Sequence, residues 1–251
     1  MIPIKNKMAI QKMQTAGLLV AEIFELLKQH VVAGKTTFEI NALIEKELQK
    51  RNLVSSTKGY KGYKFASCIS INDEVVHGMP SERIVKDGDL VKVDICASWK
   101  GYCADSARCF FVGSPSAIAL KLAQVAREAL DKGIAQAKAG NKLTDISAAI
   151  QAEVETHGFG VVRDFAGHGI GKQMHEDPEI LNYGKPGKGP VLRPGMTFAI
   201  EPMITQGNYA VYVAQDGWTV RTKDKSLAAH VEDTVLITEH EPLILTKINP
   251  S

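Results

Sequence analysis

The sequence predicts an α+β fold built as a pseudo-twofold repeat, with helices outside and a curved, mostly antiparallel sheet inside. Three observations carry that expectation. Apolar stripes of helical period open each half of the chain, strand-like stretches follow each pair of stripes, and the same order returns about one hundred residues later.

In the first half, Ile10, Met13, Gly17, Val20, Phe24 and Leu27 recur in steps of three and four and trace one face of a helix. After Gly34, Thr36 followed by Glu39 gives a capping-box signal, and Ile40, Leu43, Ile44 and Leu48 form the next stripe. Strands are expected near 65–71, 90–98 and 102–112, with Ser98-Trp-Lys-Gly101 as the turn between the last two. In the second half, Ser114-Pro115 reads as a helix N-cap with proline at the first helical position, followed by Ile118, Leu122, Val125, Ala129 and Leu130. Ala139-Gly140 precedes a second helix carrying Ile146, Ile150 and Val154.

Laying Gly140 on Gly34 puts Ile146 on Ile40, Ala148 on Ala42, Ile150 on Ile44, Glu153 on Glu47 and Val154 on Leu48. Gly195 and Glu201 fall in the same way on Gly88 and Asp94, and Glu232 on Asp105. The last pair is further apart, so the second half carries roughly 20 extra residues inside its hairpin. The expected organisation is a single domain, 1–251, with halves of about 1–113 and 114–251.

Thirty Lys+Arg against 28 Asp+Glu leave a net charge of +2, which argues against a broad basic face for nucleic acid. With 45% hydrophobic residues the chain is not disordered. Cys68, Cys96, Cys103 and Cys109 form no C-x-x-C pair, so neither a disulfide framework nor a zinc ribbon is expected, and a reducing, cytoplasmic compartment fits. The most apolar early stretch, 16–27, contains Glu22 and Glu25 and is shorter than the roughly 20 residues of a membrane span. No leader or membrane association is expected.

Asp94, among Val91, Val93 and Ile95, points to the opposite strand face from those three. Asp105 lies on the next strand, so the two aspartates can face one site. A shared cation is one answer to the cost of burying both; a Lys or Arg partner, or a solvated face, is another. Glu201 ends an apolar strand just before Pro202, which marks either a site or an edge-strand charge. Alternation puts His230, Glu232 and Thr234 on one face; Asp233 on the other is a competing acid, and the repeat favours Glu232. His168 between Gly167 and Gly169 reads as a site loop, and the spacing lacks the pattern of a phosphate loop. His77-Gly-Met-Pro and His175-Glu-Asp-Pro share a local pattern, whereas His30, His157 and His240 read as structural or solvated and His230 is left open. Four carboxylates and one imidazole make an oxygen-rich set suited to Mn, Fe, Co or Zn, with enough acid for two divalent ions.

These residues resemble the methionine aminopeptidases, metallopeptidases of the pita-bread fold. The likeness runs from about Ile10 to Leu245. It rests on Ser70-Ile-Asn-Asp-Glu-Val-Val-His77-Gly-Met-Pro, Val93-Asp94 with Asp105-Ser, Gly167-His168-Gly-Ile-Gly, His175-Glu-Asp-Pro, Ile200-Glu201-Pro-Met and Val231-Glu232-Asp-Thr, in that order. The resemblance implies that Asp94, Asp105, His168, Glu201 and Glu232 ligate two divalent ions, with Asp105 and Glu232 bridging. It implies hydrolytic removal of an N-terminal methionine, preferring a small second residue, by a hydroxide held between the ions. Glu201 would carry the proton, His77 would meet the scissile nitrogen, and His175 would steady the carbonyl oxygen. Tyr60, Tyr63, Cys68, His77 and Trp218 match the lining of the methionine pocket, with Met174 and Thr57 nearby as departures from common residues of the family. The implied substrate is a peptide or nascent-protein N-terminus near the ribosome exit, and a monomer is expected. The 31 residues from Glu201 to Glu232 leave no room for the helical insertion of type II members, and no cysteine- and histidine-rich extension precedes the first helix, so a bacterial-style type I enzyme is expected. The alternatives are a relative cleaving before proline, which would carry a separate N-terminal domain, and a non-catalytic binding protein of the same fold, which would lack ligands.

Overall fold

Two helix pairs lie side by side in the chain. The computed structural model describes residues 2–248. It holds α1 (Lys7–Leu27) and α2 (Thr37–Lys50) in the first half, and α3 (Ala117–Gln136) and α4 (Leu143–Thr156) in the second. The second and fourth helices begin alike. The Thr36 backbone N–H donates to the Glu39 carboxylate at 2.8 Å, and the Lys142 N–H donates to the Asp145 carboxylate at 2.8 Å. Each meets an orphan donor of a helix N-terminus. The third helix departs from expectation. Its N-cap is Ser116, whose hydroxyl accepts from the Ala119 N–H, so the helix starts at Ala117 and not at Pro115. Ser114 is instead held by Asp87, whose carboxylate accepts its N–H at 3.0 Å. Ile118, expected in the stripe, is exposed; the buried face runs through Leu122, Val125, Ala129 and Leu130.

The strands of the first half are β1 (Val54–Ser55), β2 (Cys68–Ile71), β3 (Glu74–Val76), β4 (Leu90–Trp99) and β5 (Tyr102–Phe111). Those of the second are β6 (Gly160–Val161), β7 (Gly167–Gly169), β8 (Glu176–Ile180), β9 (Thr197–Ile200), β10 (Met203–Thr205), β11 (Val211–Val213), β12 (Val220–Thr222), β13 (Ala228–His230), β14 (Glu232–Leu236) and β15 (Leu243–Ile244). A nine-stranded sheet runs β1-β4-β5-β14-β9-β7-β8, with β2 on β4 and β15 on β14. Among the described residues its strand pairs are antiparallel throughout. The halves meet at β5 and β14, where Ser106 faces Asp233 and Ala107 faces Glu232. That register is the one a twofold axis requires if Glu232 repeats Asp105, because the residue following each then sits on the axis.

The turn between β4 and β5 is Lys100-Gly101, both with positive φ, as a two-residue hairpin demands. The matching hairpin of the second half is interrupted. Pro202, one residue beyond Glu201 at the end of β9, cannot donate to a ladder, and the chain leaves for β10–β13 before returning as β14. Each half has its own apolar layer. Val20, Phe24, Ile40 and Ile44 pack on Val91, Val93 and Ile95, and Leu122, Val125, Ile146 and Ile150 pack on Phe198, Ile200 and Val235. The helices therefore cover one sheet face, and the polar residues that alternate with these strand positions point to the other.

Candidate metal centre

Asp94, Asp105, His168, Glu201 and Glu232 line one cavity of about 400 Å³. Asp94 sits opposite Ala107 and Asp105 opposite Cys96 on the β4–β5 ladder, so both acids share the face turned from the helices. Asp105 is locked across the seam of the halves: its N–H donates to Thr234 Oγ1 at 2.9 Å and the Thr234 hydroxyl donates to its carbonyl at 2.8 Å. The Glu232 carbonyl accepts from Ser106 Oγ at 2.9 Å, and the Glu201 carbonyl accepts from Asn182 Nδ2 at 3.0 Å. These bonds fix the backbone from which each carboxylate projects.

His168 lies on a strand, not on the loop its glycines suggested. A Cβ on Gly167 would stand 2.4 Å from the Ala199 carbonyl oxygen, and one on Gly169 2.0 Å from that of Asp177. Glycine is what lets β7 pass between β9 and β8. His168 Nδ1 lies 3.0 Å from the Gly169 carbonyl, which makes it the donor and leaves the Nε2 lone pair free. Nε2 faces Glu201 Oε1 at 3.5 Å and Asp105 Oδ2 at 3.9 Å. Ligand atoms of Asp105, His168 and Glu232 all lie within 4.8 Å of one another.

Charge makes this arrangement costly as bare protein. Burial, then the neighbouring acids, push Asp94, Glu201 and Glu232 well above the usual carboxylate range. Burial raises Asp105 too, against the pull of Cys96 and His230. Burial holds His168 down to about 3, and His77 and His230 to about 4, so these three imidazoles are neutral at pH 7. Asp105 Oδ1 and Glu232 Oε1 are buried with no hydrogen-bond partner among the described residues. Divalent cations answer all three features: they neutralise the clustered acids, take a neutral imidazole, and satisfy the two orphaned oxygens. The donor set fits them.

Two readings that the sequence left open are resolved by position. Asp233 faces away from the cavity, where Arg108 and Arg127 bind its two oxygens at 2.6 and 2.7 Å. His230 stands behind Glu201, with Nε2 3.3 Å from Glu201 Oε2 but without the alignment of a hydrogen bond.

His77, His175, Tyr60, Tyr63, Cys68, Met174, Thr57 and Trp218 line the same cavity. Trp218 comes from the extra segment of the second half and meets Tyr63 edge-on at 4.9 Å between ring centroids. Tyr60 Oη lies 3.0 Å from His175 Nδ1, and burial lowers the His175 pKa. Residues the sequence reading did not single out are Cys96, which lines the cavity, and Phe165, whose ring packs on His77 at 5.6 Å. Cys96 shares the strand face of Asp94, a signal that alternation alone could have supplied.

The sequence profile of metallopeptidase family M24 matches residues 11–239. A methionine aminopeptidase of Clostridium acetobutylicum is 49% identical over 98% of this chain and 99% of its own length. The crystal structure of methionine aminopeptidase from Thermotoga maritima superposes with a TM-score of 0.97 at 46% identity, covering 99% of this chain and 100% of that one. A prolidase from Pyrococcus furiosus is more distant, with a TM-score of 0.78 at 26% identity; the match covers 98% of this chain but 66% of the prolidase.

Proposed function

The chain belongs to metallopeptidase family M24, with its pita-bread fold, and from that premise we propose that it is a type I methionyl aminopeptidase, which hydrolyses the bond after an N-terminal methionine. The observation that carries the reading is the continuity of the cavity: five ligand-type side chains at one end, and an aromatic and thiol lining at the other. An unbranched thioether packs well against aromatic edges, and the Tyr63–Trp218 pair offers them.

In this reading Asp94, Asp105, His168, Glu201 and Glu232 would hold two divalent ions drawn from Mn, Fe, Co or Zn. When bound, the ions supply Lewis acidity for the scissile carbonyl and a more acidic water. The chain's own groups do the rest. The Gly169 carbonyl keeps the His168 tautomer that presents Nε2. Glu201, buried and raised in pKa, can take and return a proton at its carboxylate. Neutral His77 can donate to, or accept from, the amide nitrogen that leaves, and Phe165 holds its ring. His175, oriented by Tyr60, can donate to the carbonyl oxygen as negative charge develops there. The residue after methionine passes between these two imidazoles, and the proposal includes a preference for a small side chain at that place. All five candidate ligands come from one chain, which supports action as a monomer. The proposed substrates are peptides and new proteins in the cytoplasm, reached near the ribosome exit.

Purified protein should release methionine from Met-Ala-Ser faster than from Met-Lys-Ser, lose activity on chelation, and regain it with added Mn²⁺. Preference for an Xaa-Pro peptide, or indifference to chelation, would overturn the reading.

A further inference from the structure

The first residues of the chain do more than lead into α1. Lys5 is buried, and its ammonium meets Glu176 Oε2 at 2.7 Å, with the two side chains 5% and 13% exposed. Its backbone is held too: the Lys5 N–H donates to the Gly195 carbonyl at 2.8 Å. The chain around it makes room. A Cβ on Gly171 would stand 2.6 Å from Lys5 Cε and 2.5 Å from Glu176 Oε1, and one on Gly195 would stand 2.8 Å from Ile4 Cγ2. Lys5 thus ties the turn before β9, the strand that leads to Glu201, to the start of β8. Glu176 is the residue after His175. Residues 170–175, between β7 and β8, form neither strand nor helix. Within them the Gln173 N–H donates to Glu176 Oε1 at 3.3 Å, so the carboxylate draws the segment back on itself. A carboxylate this buried needs a counter-charge, and among the described residues Lys5 is the cation paired with it. The His175 ring itself meets Tyr60 Oη at 3.0 Å and the His168 ring at 4.2 Å between centroids.

We infer that Lys5 is a positioning residue for His175: through Glu176 it fixes the segment from which His175 reaches the substrate carbonyl oxygen. Lys5 does not line the cavity of the candidate metal centre, so it acts through its partner. The kinetic consequence rests on the role proposed for His175; the placement of the ring does not. A donor aimed at developing charge loses its effect with small displacements, about 1 Å costing on the order of 10²-fold. Glu176 without its counter-charge turns toward water, and the segment from Gln173 to His175 moves with it.

Steady-state kinetics of the full chain at saturating Mn²⁺ and nuclear magnetic resonance of the metal-free protein test this together. Lys5→Met should lower kcat and kcat/KM for Met-Ala-Ser alike, by about 10- to 100-fold, and leave KM within about twofold, as loss of an interaction made only in the transition state does. In a His175→Ala background the same substitution should cost less than about twofold, because the two residues act as one unit. The Overhauser contact between the His175 and Tyr60 rings, whose centroids stand 5.2 Å apart, should weaken in Lys5→Met. Should Lys5→Met fail to fold, Lys5→Gln, which keeps a donor to Glu176 without the charge, should show the same pattern with a loss of about threefold to tenfold. An unchanged kcat, a change in KM alone, the full loss repeated in the His175→Ala background, or an undiminished ring contact would overturn the inference. A wild-type protein that releases no methionine would sink the aminopeptidase reading instead, and the ring contact would then decide the positioning of His175 alone.

Discussion

In the first half of the molecule β2 sets Ser70 opposite Lys92; at the matching place in the second half β7 sets His168 opposite Ala199. The neighbouring repeat positions, Asp94 with Glu201 and Asp105 with Glu232, are acids in both halves. The skeleton and the acids are thus duplicated, and the remaining pair is not. Lys92 is buried, and its ammonium donates to the Asn72 carbonyl at 2.9 Å, with burial lowering its pKa to about 8. The first half carries an internal cation where the second presents a neutral imidazole. Lys92 lies in the field of Glu74 and Asp73 rather than of Asp94 or Asp105, so the four acids of the centre, two from each half, all need charge balance from outside the chain, and the candidate centre is lopsided across the seam only in its imidazole.

The largest expected effect tests that lopsidedness directly. Glu201→Ala should lower turnover of Met-Ala-Ser by about 10³-fold or more, because it removes both a proposed ligand and the proposed proton carrier. Asp94→Ala, at the repeat position, removes only a proposed ligand. It should cost about 10²-fold less of that loss when Mn²⁺ is supplied in excess. Equal losses would show that the halves contribute alike and that Glu201 has no added role.

Metal removal gives the next effect, read as stability. An ion present at 100 times its Kd adds about 2.7 kcal/mol to the folded state, or roughly 5–10 °C in Tm for a chain of this size. The sign of its pH dependence follows from the acids. Their folded pKa values lie above the unfolded ones, so the metal-free protein is favoured below the ordinary carboxylate range and loses that support as pH rises through the raised values. Ion binding needs the same groups deprotonated. The Tm gain on adding Mn²⁺ should therefore grow from pH 5 to pH 8, by scanning calorimetry. A gain that shrinks over this range would remove the clustered acids from the site.

A smaller effect concerns the segment that has no counterpart in the first half. Trp218 from that segment and Met174 line the pocket end of the cavity. Met174→Phe should shift the relative rates for Met, norleucine and Leu substrates several-fold while moving stability by less than about 1.5 kcal/mol. Unchanged rate ratios would take Met174 out of the side-chain pocket.

The repeat was legible because helical period and special glycines survive in single residues: α2 and α4 match residue for residue at the offset that lays Gly140 on Gly34. The acids could be read because a carboxylate amid Val91, Val93 and Ile95 breaks an apolar pattern. What the sequence hid depends on tertiary approach. Gly167 and Gly169 look like loop residues until Ala199 and Asp177 are seen to fill the space where side chains would stand. The start of α3 was misplaced because Ser114 and Ser116 are equal as caps in sequence, and only the carboxylate of Asp87, 27 residues earlier, claims the first. The repeat favoured Glu232 over Asp233, but what occupies Asp233 instead, the meeting of Arg108 and Arg127 on its two oxygens, could not be read from the sequence.

The smallest effect asks whether the halves are equal where no chemistry is involved. Gly34 and Gly140 occupy the same place before α2 and α4, with φ of +91° and +93°, and a Cβ at either would meet nothing within 4 Å. Substitution by alanine therefore costs only the left-handed backbone, about 1 kcal/mol, or roughly 2–4 °C in Tm. Gly34→Ala and Gly140→Ala should lower Tm by the same amount within that range and leave kcat/KM for Met-Ala-Ser unchanged. If Gly140→Ala alone reduced kcat/KM, the αL turn before α4 would be coupled to the proposed second-half ligands, and the division between a symmetric skeleton and an asymmetric centre would not hold.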